Sequence, residues 1–269
     1  MTLKSFLNLS IVGFAAISLL AACSSGDTET DTQEADSESM QAEAEVPPNT
    51  LSEQEVEDGW ILLFDGESTE GWRGYQQESF PEAGWVIEDG ALKVQGAGTG
   101  EAGGRGGDIL FDQKFQNFHL SLEWKVSEGG NSGIFYLAQE LDGRPIWHSA
   151  PEMQILDNAN HPDAMLGEDG NRQAGSLYDL IPAEPQNFRG HGEWNKAEVL
   201  VYRGTVVHFQ NGEPVVEYHL GTPAWEEMVN NSKFADYSDV FGKFEPGFIS
   251  LQDHGDDVWF RNIKLQPRD

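Results

Sequence analysis

Polar side chains alternate with apolar ones in three segments whose composition is typical of β-strands. The polar faces of these segments include Glu123, Glu152, Gln154, Gln252 and His254. Because successive side chains of a strand point to opposite faces, each segment presents one polar face. Carboxylates, amides and an imidazole on one face can bind sugar hydroxyls and can perform general acid–base catalysis. The alternative is that each polar row simply faces solvent, as is common in antiparallel sheets.

Further candidates lie in the segments between these strands. His161 follows Asp157 in an acid-rich segment and could bind a metal ion or carry a proton. Trp147 and Tyr178 are aromatic residues outside strand patterns, where they could stack on a sugar ring. Tyr178 and its neighbour Asp179 could also hydrogen-bond sugar hydroxyls.

The elements that must position these residues are short strands. From residue 59 onward, apolar-alternating runs of strand length recur, separated by Gly, Asn, Asp or Pro. About ten or more such runs predict an all-β fold, a jelly-roll sandwich of two antiparallel sheets. The clearest runs are 60–64, 85–88, 91–94, 118–126, 133–137, 153–156, 194–202, 206–210, 215–220, 247–252 and 258–265. Only 223–229 reads as helix. The glycine-rich stretch 96–107 is expected to form a loop at the rim of the groove in which such a sandwich would bind a sugar.

Charge and cysteine content exclude several classes of protein. The chain has 269 residues with 46 acidic and 16 basic side chains, giving a net charge of −30. Nucleic-acid binding requires Lys and Arg to neutralise phosphates, so it is excluded on this balance. A single cysteine rules out an internal disulfide and a cysteine-based zinc site.

The N-terminal part predicts export and anchoring. Residues 1–23 combine Lys4, an apolar run and small residues before Cys23, the pattern of a secretory signal. Leu20-Ala-Ala-Cys23 resembles the bacterial lipoprotein box, which implies lipidation at Cys23 and, with Ser24 following, an outer-membrane lipoprotein. Residues 24–58 are rich in Asp and Glu with no Lys or Arg, which predicts a disordered tether. The folded domain is expected at 59–269.

The domain also resembles a known family along nearly its whole length. The segments that carry the resemblance are Gly59-Trp-Ile-Leu-Leu-Phe-Asp-Gly66, Glu70-Gly-Trp72, Leu122-Glu-Trp-Lys125, Gly130-Asn-Ser-Gly-Ile-Phe135, Glu152-Met-Gln-Ile-Leu-Asp-Asn158, Ala174-Gly-Ser-Leu-Tyr-Asp179, Gly192-Glu-Trp-Asn195, Ile249-Ser-Leu-Gln-Asp-His-Gly255 and Phe260-Arg-Asn-Ile263. In this order they are similar to the 3-keto-disaccharide hydrolases, also described as 3-keto-glucoside 1,2-lyase/3-keto-2-hydroxyglucal hydratase and formerly as DUF1080. The resemblance implies a concanavalin-like jelly roll, frequent lipid anchoring and action on an oxidised glucoside or disaccharide.

The implied chemistry assigns roles to the candidates. A ketone at C3 acidifies the C2 hydrogen, so a base can form an enediolate that expels the C1 substituent, after which water adds. The expected catalytic residues are Glu152, Glu123, His161 and His254. A divalent cation could stabilise the enediolate, held by Glu152, Asp157 and His161. The expected substrate-binding residues are Gln154, Tyr178, Asp179, Gln252, Arg261 and Trp147, although for Arg261 an ion pair with the sheet is equally open.

Two other functions remain open at this stage. Jelly rolls often serve as lectins, so the domain could be a non-catalytic, surface-tethered carbohydrate-binding module. It could also be a laminarinase-type glycosidase, because Glu152-x-Gln-x-x-Asp157 partly resembles the paired-carboxylate strand of those enzymes. Gln154 stands where the middle acid would be, which speaks against a retaining mechanism.

Overall fold

The computed structural model describes residues 46–97 and 105–269. The strands in these ranges are β1 (Ile61–Leu62), β2 (Trp72–Gly74), β3 (Trp85–Glu88), β4 (Ala91–Val94), β5 (Ile109–Phe115), β6 (Phe118–Val126), β7 (Asn131–Ala138), β8 (Glu152–Leu156), β9 (Asn195–Tyr202), β10 (Thr205–Gln210), β11 (Glu213–His219), β12 (Gly247–Leu251) and β13 (Val258–Pro267). The α-helices are α1 (Glu53–Glu57) and α2 (Pro223–Asn230), and 3-10 turns occur at Ile146–His148, Pro162–Met165 and Ala235–Tyr237.

The strands form two antiparallel sheets, which confirms the predicted all-β sandwich. The five-stranded sheet has the order β2-β5-β12-β7-β8. The eight-stranded sheet has the order β11-β10-β9-β6-β13-β4-β3, with β1 also paired to β13. Sequence neighbours such as β5 and β6 lie in different sheets, so the pairing is largely long-range.

The core lies between the two sheets and is built from alternate residues of their strands. On β6 the side chains of Leu120, Leu122 and Trp124 are fully buried, as the alternation predicts. Ile134 of β7 and Met153 of β8 belong to the same buried cluster. Because these residues occupy the inner faces, the remaining residues of β7 and β8 point to the outer face of the five-stranded sheet.

Two strands, β2 and β5, were not predicted, because β2 is too short to show a pattern and β5 lacks a clean alternation. β2 has only three residues, and β5 opens with two consecutive buried residues, Ile109 and Leu110. Adjacent strand residues point to opposite faces, and here both faces are covered: Ile109 belongs to the core between the sheets and Leu110 to a second, smaller buried cluster.

The ordered domain begins earlier than predicted. Asn49 is buried, and its side chain donates to the Gly90 carbonyl at 2.8 Å and accepts from the Asn262 backbone N–H at 2.8 Å. Ser52 and Glu55 form a reciprocal capping box at the start of α1, and Glu55 pairs with Lys264. The prediction of disorder up to residue 58 is therefore wrong for residues 46–58, because average charge overlooks specific caps and hydrogen bonds.

Several predictions concern residues outside the described ranges. These are the signal segment 1–23 with Cys23, the tether at 24–45, and residues 98–104 of the glycine-rich stretch. Within the described ranges, no helix combines the length and apolar character needed to cross a membrane.

Candidate functional site

The outer face of the five-stranded sheet carries the polar rows predicted on β8 and β12. The antiparallel register places Gly133 of β7 opposite Gln154 of β8, and Phe135 opposite Glu152. On the other side of β7, the backbone N–H of Gln252 donates to the carbonyl of Gly133 at 3.0 Å. Gln154 and Gln252 therefore flank Gly133 across three neighbouring strands.

A cavity of about 260 Å³ lies over these rows. Its polar lining is formed by Asn131, Glu152, Gln154, Lys233, Gln252 and His254. Its aromatic lining is formed by Trp147, Tyr178, Phe234 and Tyr237. An apolar concave wall with a few convergent polar groups is the usual form of a small-molecule site.

Glu152 is the acid of this cavity. Its side chain is 8% exposed, and burial raises the pKa of its carboxyl to about 8. The ammonium of Lys233 acts in the opposite direction and lowers that pKa, whereas the carboxylates of Asp108 and Asp163 raise it further. With its amide oriented to suit both neighbours, Gln154 donates to Glu152 Oε1 at 3.2 Å and to the Ser132 carbonyl at 3.1 Å.

The missing side chain of Gly133 makes room for that carboxylate. A Cβ atom on Gly133 would overlap the Glu152 carboxylate oxygen and would lie 2.7 Å from its Cδ and 2.8 Å from its Cγ. The last glycine of Gly130-Asn-Ser-Gly133 thus allows the Glu152 carboxylate to lie against β7. This close approach is a packing requirement for glycine in a strand interior.

Lys233 reaches the cavity from the segment that follows α2. Ser232 shapes this segment, because its hydroxyl donates to the Val229 carbonyl at 2.8 Å and accepts from the Phe234 N–H at 3.1 Å. The Lys233 ammonium lies 3.9 Å from the centroid of the Tyr178 ring. Desolvation lowers the pKa of Lys233, opposed by the nearby carboxylates of Asp179 and Glu152. The site therefore sets a cation facing a buried acid.

Tyr178 is held in place by a charged network. Its hydroxyl donates to Asp163 at 2.8 Å, and Arg172 bridges Asp163 at 2.7 Å and Asp179 at 2.5 Å. Burial, reinforced by the carboxylates of Glu152 and Asp163, raises the pKa of Tyr178. Tyr178 therefore lines the cavity as a neutral, fixed ring, whereas one carboxylate oxygen of Asp179 is committed to Arg172.

The two predicted catalytic histidines occupy different positions. His254 lines the cavity. His161 is outside the lining: its ring centroid lies 6.5 Å from that of His254, and the residue is 7% exposed. His161 Nδ1 accepts the backbone N–H of Asp163 at 3.1 Å and so caps a 3-10 turn. His161 is thus placed as a structural cap rather than in the lining.

Glu123 and Arg261 belong to the other sheet, so the prediction that Glu123 shares a face with Glu152 is wrong, and of the two options for Arg261 the ion pair with the sheet is the one observed. They lie opposite each other on β6 and β13 and form an ion pair, with Arg261 Nε 2.6 Å from Glu123 Oε2. The Arg261 guanidinium also lies 4.0 Å from the centroid of the Trp194 ring. Because Trp124 of β6 points into the core, Glu123 faces away from it, on the far side of the sandwich from Glu152.

The predicted metal ligands do not come together. Asp157 uses one oxygen to accept from the Gly129 N–H at 2.8 Å and the Asn160 amide at 2.7 Å, and the other to accept from the Ala159 N–H at 3.1 Å. Burial alone would raise the pKa of Asp157, but these hydrogen bonds hold it below its usual value. Within residues 46–97 and 105–269, no three His, Cys, Asp or Glu side chains are arranged to hold a metal ion. The set Glu152, Asp157 and His161 does not fit a cation.

Sequence reasoning missed Lys233, Phe234, Tyr237 and Asn131. Asn131 precedes a strand and reads as a turn residue, yet it lies in the cavity lining. One feature of the sequence could have pointed to Lys233 as a site residue: it is a basic residue in a strongly acidic chain, close to aromatic residues after the predicted helix. Nothing in its local sequence pairs it with Glu152.

Trp147, Gln154, Tyr178, Gln252 and His254 all line the cavity with Glu152, as expected of substrate-binding and catalytic residues. Trp147 is 36% exposed and packs edge-on against Tyr237, with ring centroids 5.4 Å apart. It therefore stands at the rim, where an aromatic face can meet a sugar ring. The roles of these residues remain predictions.

Comparison with known proteins identifies the family. The profile of the 3-keto-alpha-glucoside-1,2-lyase-like domain matches residues 59–266. A 3-keto-disaccharide hydrolase of Bacteroides thetaiotaomicron is 54% identical over 231 residues, covering 79% of this chain and 79% of that protein. A crystal structure of a candidate glycosyl hydrolase from Parabacteroides distasonis is 29% identical with a TM-score of 0.72, covering 83% of this chain and all of the other. A second such structure from that organism, 24% identical with a TM-score of 0.56 over 78% of this chain and 99% of its own, shares the fold. The chain therefore belongs to the family of 3-keto-alpha-glucoside-1,2-lyase-like domains.

Proposed function

We propose that this protein cleaves 3-keto-glycosides by removing the proton at C2 and expelling the substituent at C1, with water adding afterwards. Family membership and the identity to a 3-keto-disaccharide hydrolase make it an enzyme that acts on glycosidic bonds. The elimination–hydration route is the finer proposal. The observation that carries it is the buried carboxyl of Glu152, which lines a cavity together with Lys233 and has its pKa raised by burial.

The proposed reaction balances without any redox partner. The base takes the C2 proton, the C2–H electrons form the C1=C2 double bond by way of the enediolate, and the C1–O bond breaks. The leaving oxygen takes up a proton and departs as an alcohol. Water then adds its hydroxyl to C1 and a proton returns to C2, so the sum is hydrolysis.

Glu152 suits both proton transfers at C2. A base is most effective when its pKa lies near the working pH, because it can then accept and return the proton. Burial raises the pKa of Glu152 to about 8, far nearer to neutrality than an ordinary carboxyl. The same group can therefore abstract the proton during elimination and deliver it during hydration.

The remaining lining residues match the charges that develop. Elimination places negative charge on the enediolate oxygens, and preorganised donors aimed at such charge stabilise the transition state. The Lys233 ammonium and the amides of Gln252 and Asn131 are among the donors of the lining and are the groups proposed to meet this charge. His254 is its imidazole and the proposed source of the proton for the leaving oxygen. Trp147 at the rim is proposed to stack on the sugar ring.

The acid content of the cavity argues against a conventional retaining glycosidase. Such enzymes use two carboxyl groups about 5–5.5 Å apart. Among the described residues, Glu152 contributes the sole carboxyl group of the lining. Asp157, the partner expected from the laminarinase-like motif, is committed to the turn after β8. A C2 proton made acidic by a neighbouring ketone needs one strong base, which this cavity supplies.

For localisation, we propose that Cys23 carries a lipid anchor in the outer membrane. The support is the sequence pattern ending at Leu20-Ala-Ala-Cys23. Metabolic labelling with a radioactive fatty acid in a bacterial host tests this, with Cys23→Ser as the comparison. Equal labelling of both forms, or of neither, would rule the anchor out.

The test of the proposed activity compares an oxidised sugar with its parent. The full chain is incubated with a 3-keto-glucoside or the unoxidised glucoside, with and without chelator, and products are followed by mass spectrometry. We expect cleavage of the oxidised sugar alone and a loss of at least about 100-fold in Glu152→Gln, since general acid–base groups contribute about 10²–10⁴-fold. Glu123→Gln, on the far face of the sandwich, is the matched control and is expected to retain activity.

Each other outcome points to a different conclusion. Cleavage of the unoxidised parent would indicate a conventional glycosidase, and binding without turnover would indicate a carbohydrate-binding module. Loss of activity on chelation would indicate that the reaction needs a divalent cation, bound by residues other than the set Glu152, Asp157 and His161. Retained activity in Glu152→Gln with native folding would refute the assignment of the base.

A further inference from the structure

One wall of the cavity comes from the irregular segment that follows α2. Residues 231–237 supply Lys233 and Phe234 to the lining. The regular structure of this segment is limited to the 3-10 turn at Ala235–Tyr237. The Lys233 ammonium lies 3.9 Å from the centroid of the Tyr178 ring and 5.1 Å from that of Phe234. Because no strand pairing holds this segment, the place of the ammonium depends on side-chain packing.

A column of four stacked aromatic rings runs from Phe234 into the interior. Phe234 stacks on Phe241, with ring centroids 4.2 Å apart and planes 12° apart. Phe241 stacks on Trp225 of α2 at 5.9 Å and 9°. Trp225 stacks on Tyr218 of β11 at 5.1 Å and 18°. All four residues are at most 5% exposed, and stacked pairs of this kind stabilise beyond the area that they bury. The column therefore connects the segment of Lys233 to the eight-stranded sheet.

The column is itself fixed at its inner end and along its side. The hydroxyl of Tyr218 lies 2.6 Å from that of Tyr136 on β7, within hydrogen-bonding distance. Gly242 has a φ of +58°, and a Cβ at this position would overlap the Trp225 ring. Glycine is thus required there for both its backbone conformation and its size. The Gly242 N–H also donates to the Ser149 carbonyl at 2.8 Å, which joins the column to the segment that carries the rim of the cavity.

The place of Lys233 matters because its ammonium acts on the Glu152 carboxyl. The ammonium lowers the pKa of that carboxyl, whereas burial and the carboxylates of Asp108 and Asp163 raise it. Interaction between two charges weakens as their separation grows, so a displaced ammonium would lower this pKa less. The titratable groups that surround the Glu152 carboxyl are Lys233, Asp108, Asp163, Tyr136, Tyr178 and His254.

We infer that Phe241, Trp225 and Tyr218 are positioning residues, and that the ring column they form with Phe234 sets the place of the Lys233 ammonium relative to the Glu152 carboxyl. Phe241 is the link on which the column depends, because it joins the cavity wall to the rings of the interior. The consequence for catalysis rests on the proposed function, which takes Glu152 as the base. The positioning itself does not.

The test removes one ring of the column and follows the titration of Glu152. Phe241→Leu deletes the ring and keeps an apolar side chain in its place. The full chain is labelled with glutamate carrying ¹³C at the carboxyl carbon, and the Glu152 signal is identified by its loss in Glu152→Gln. Phe115→Leu is the matched control, because Phe115 is a buried ring stacked on Phe111 at 6.5 Å and lies outside the cavity lining. Thermal unfolding checks each variant, and Phe241→Met replaces Phe241→Leu if the latter does not fold.

The expected results form a cycle of Phe241 and Lys233 variants. In Lys233→Met the midpoint of the Glu152 titration should rise by about 1 pH unit or more, as expected when a nearby opposite charge is lost. In Phe241→Leu it should rise in the same direction by a smaller amount, about 0.3–1 pH unit, because the ammonium is displaced rather than removed. The double variant should have the midpoint of Lys233→Met alone, since no ammonium remains to be displaced. Phe115→Leu should leave the midpoint as it is in the unmodified protein.

Three results would overturn the inference: an unmoved midpoint in folded Phe241→Leu, an equal rise in Phe115→Leu, or a double variant whose rise is the sum of the two single ones. The titration needs no turnover, so failure of the unmodified protein to cleave a 3-keto-glucoside would overturn the proposed function and leave this inference standing. In the active enzyme, the rising limb of the pH–rate profile should move with the titration midpoint. A limb that stays in place while the midpoint moves would remove Glu152 as the base and leave the positioning role intact.

Discussion

Replacing Gly133 by alanine tests whether the position of the Glu152 carboxylate governs catalysis. A Cβ at this position would lie 2.7 Å from Glu152 Cδ, whereas ordinary contact begins at 3.4 Å. The carboxyl carbon must therefore retreat by at least 0.7 Å, and its overlapping oxygen must move further. Since a displacement of about 1 Å can cost about 100-fold in rate, we expect kcat to fall by about 10–100-fold.

The same change should lower the stability of the fold by a modest amount. An alanine in a strand conformation stabilises by about 0.4–1 kcal/mol relative to glycine, through the unfolded state. Displacing the carboxylate loses its hydrogen bond from Gln154, which costs about 1 kcal/mol, and crowding the buried Glu152 side chain costs about 1–3 kcal/mol more. The free energy of unfolding should therefore fall by about 1–3 kcal/mol, which urea unfolding measures alongside the rate.

A matched control exists at the opposite edge of the same sheet. Gly74 of β2 would place a Cβ 2.7 Å from the Cδ of Gln77, an exposed amide remote from the cavity. Both variants are measured by initial rates on a 3-keto-glucoside and by urea unfolding. Full activity in a folded Gly133→Ala protein, or an equal loss of rate in Gly74→Ala, would refute the reasoning.

Four further changes probe charge, burial and the domain boundary. Lys233→Met should move the rising limb of the pH–rate profile, set by Glu152 near pH 8, to higher pH, because the ammonium lowers the pKa of that carboxyl. The unmodified protein should lose stability as pH rises from about 4.5 through about 8, because the native Glu152 carboxyl holds its proton more tightly than the unfolded one and its ionisation destabilises the fold. Glu152→Gln lacks this group, so urea unfolding should show its stability rising relative to the unmodified protein over the same pH range. Tyr136→Phe removes the hydroxyl that joins the buried His208 at 2.7 Å and Tyr218 at 2.6 Å, and should cost about 1–3 kcal/mol of unfolding free energy. A chain starting at residue 59 should be about 1–3 kcal/mol less stable in urea than one starting at residue 46, because it lacks the hydrogen bonds of Asn49.

These expectations have their own controls. Tyr202→Phe removes an exposed hydroxyl and should change stability by less than about 0.5 kcal/mol. A pH limb that stays in place, or moves to lower pH, in Lys233→Met would contradict the coupling between Lys233 and Glu152. A constant stability difference across pH in Glu152→Gln would mean that the native carboxyl titrates as it does in the unfolded chain. Equal stability of the two truncated chains would mean that residues 46–58 do not contribute to the folded domain and belong to the predicted tether.

The sequence was sufficient for the fold class and for part of the site. Period-two alternation is a local property of a strand, so it identified β6, β8 and β12 and the face on which Glu152, Gln154 and Gln252 lie. It could not assign the sheet to which each strand belongs. Glu123 has the same parity relation to the core as Glu152 but lies on the opposite side of the sandwich.

What the sequence determined by itself is therefore the set of elements and the residue types they present: an acidic β-sandwich with amides and a carboxylate on outward strand faces. The tertiary structure decided which of these meet. Antiparallel pairing of β7 with β8 lets Gly133 admit the Glu152 carboxylate, long-range pairing placed β12 on the other side of β7, and chain packing brought Lys233 from beyond α2 to the same cavity. The physical reason is that alternation and capping act over a few residues, whereas strand order and convergence at a cavity depend on contacts between distant parts of the chain.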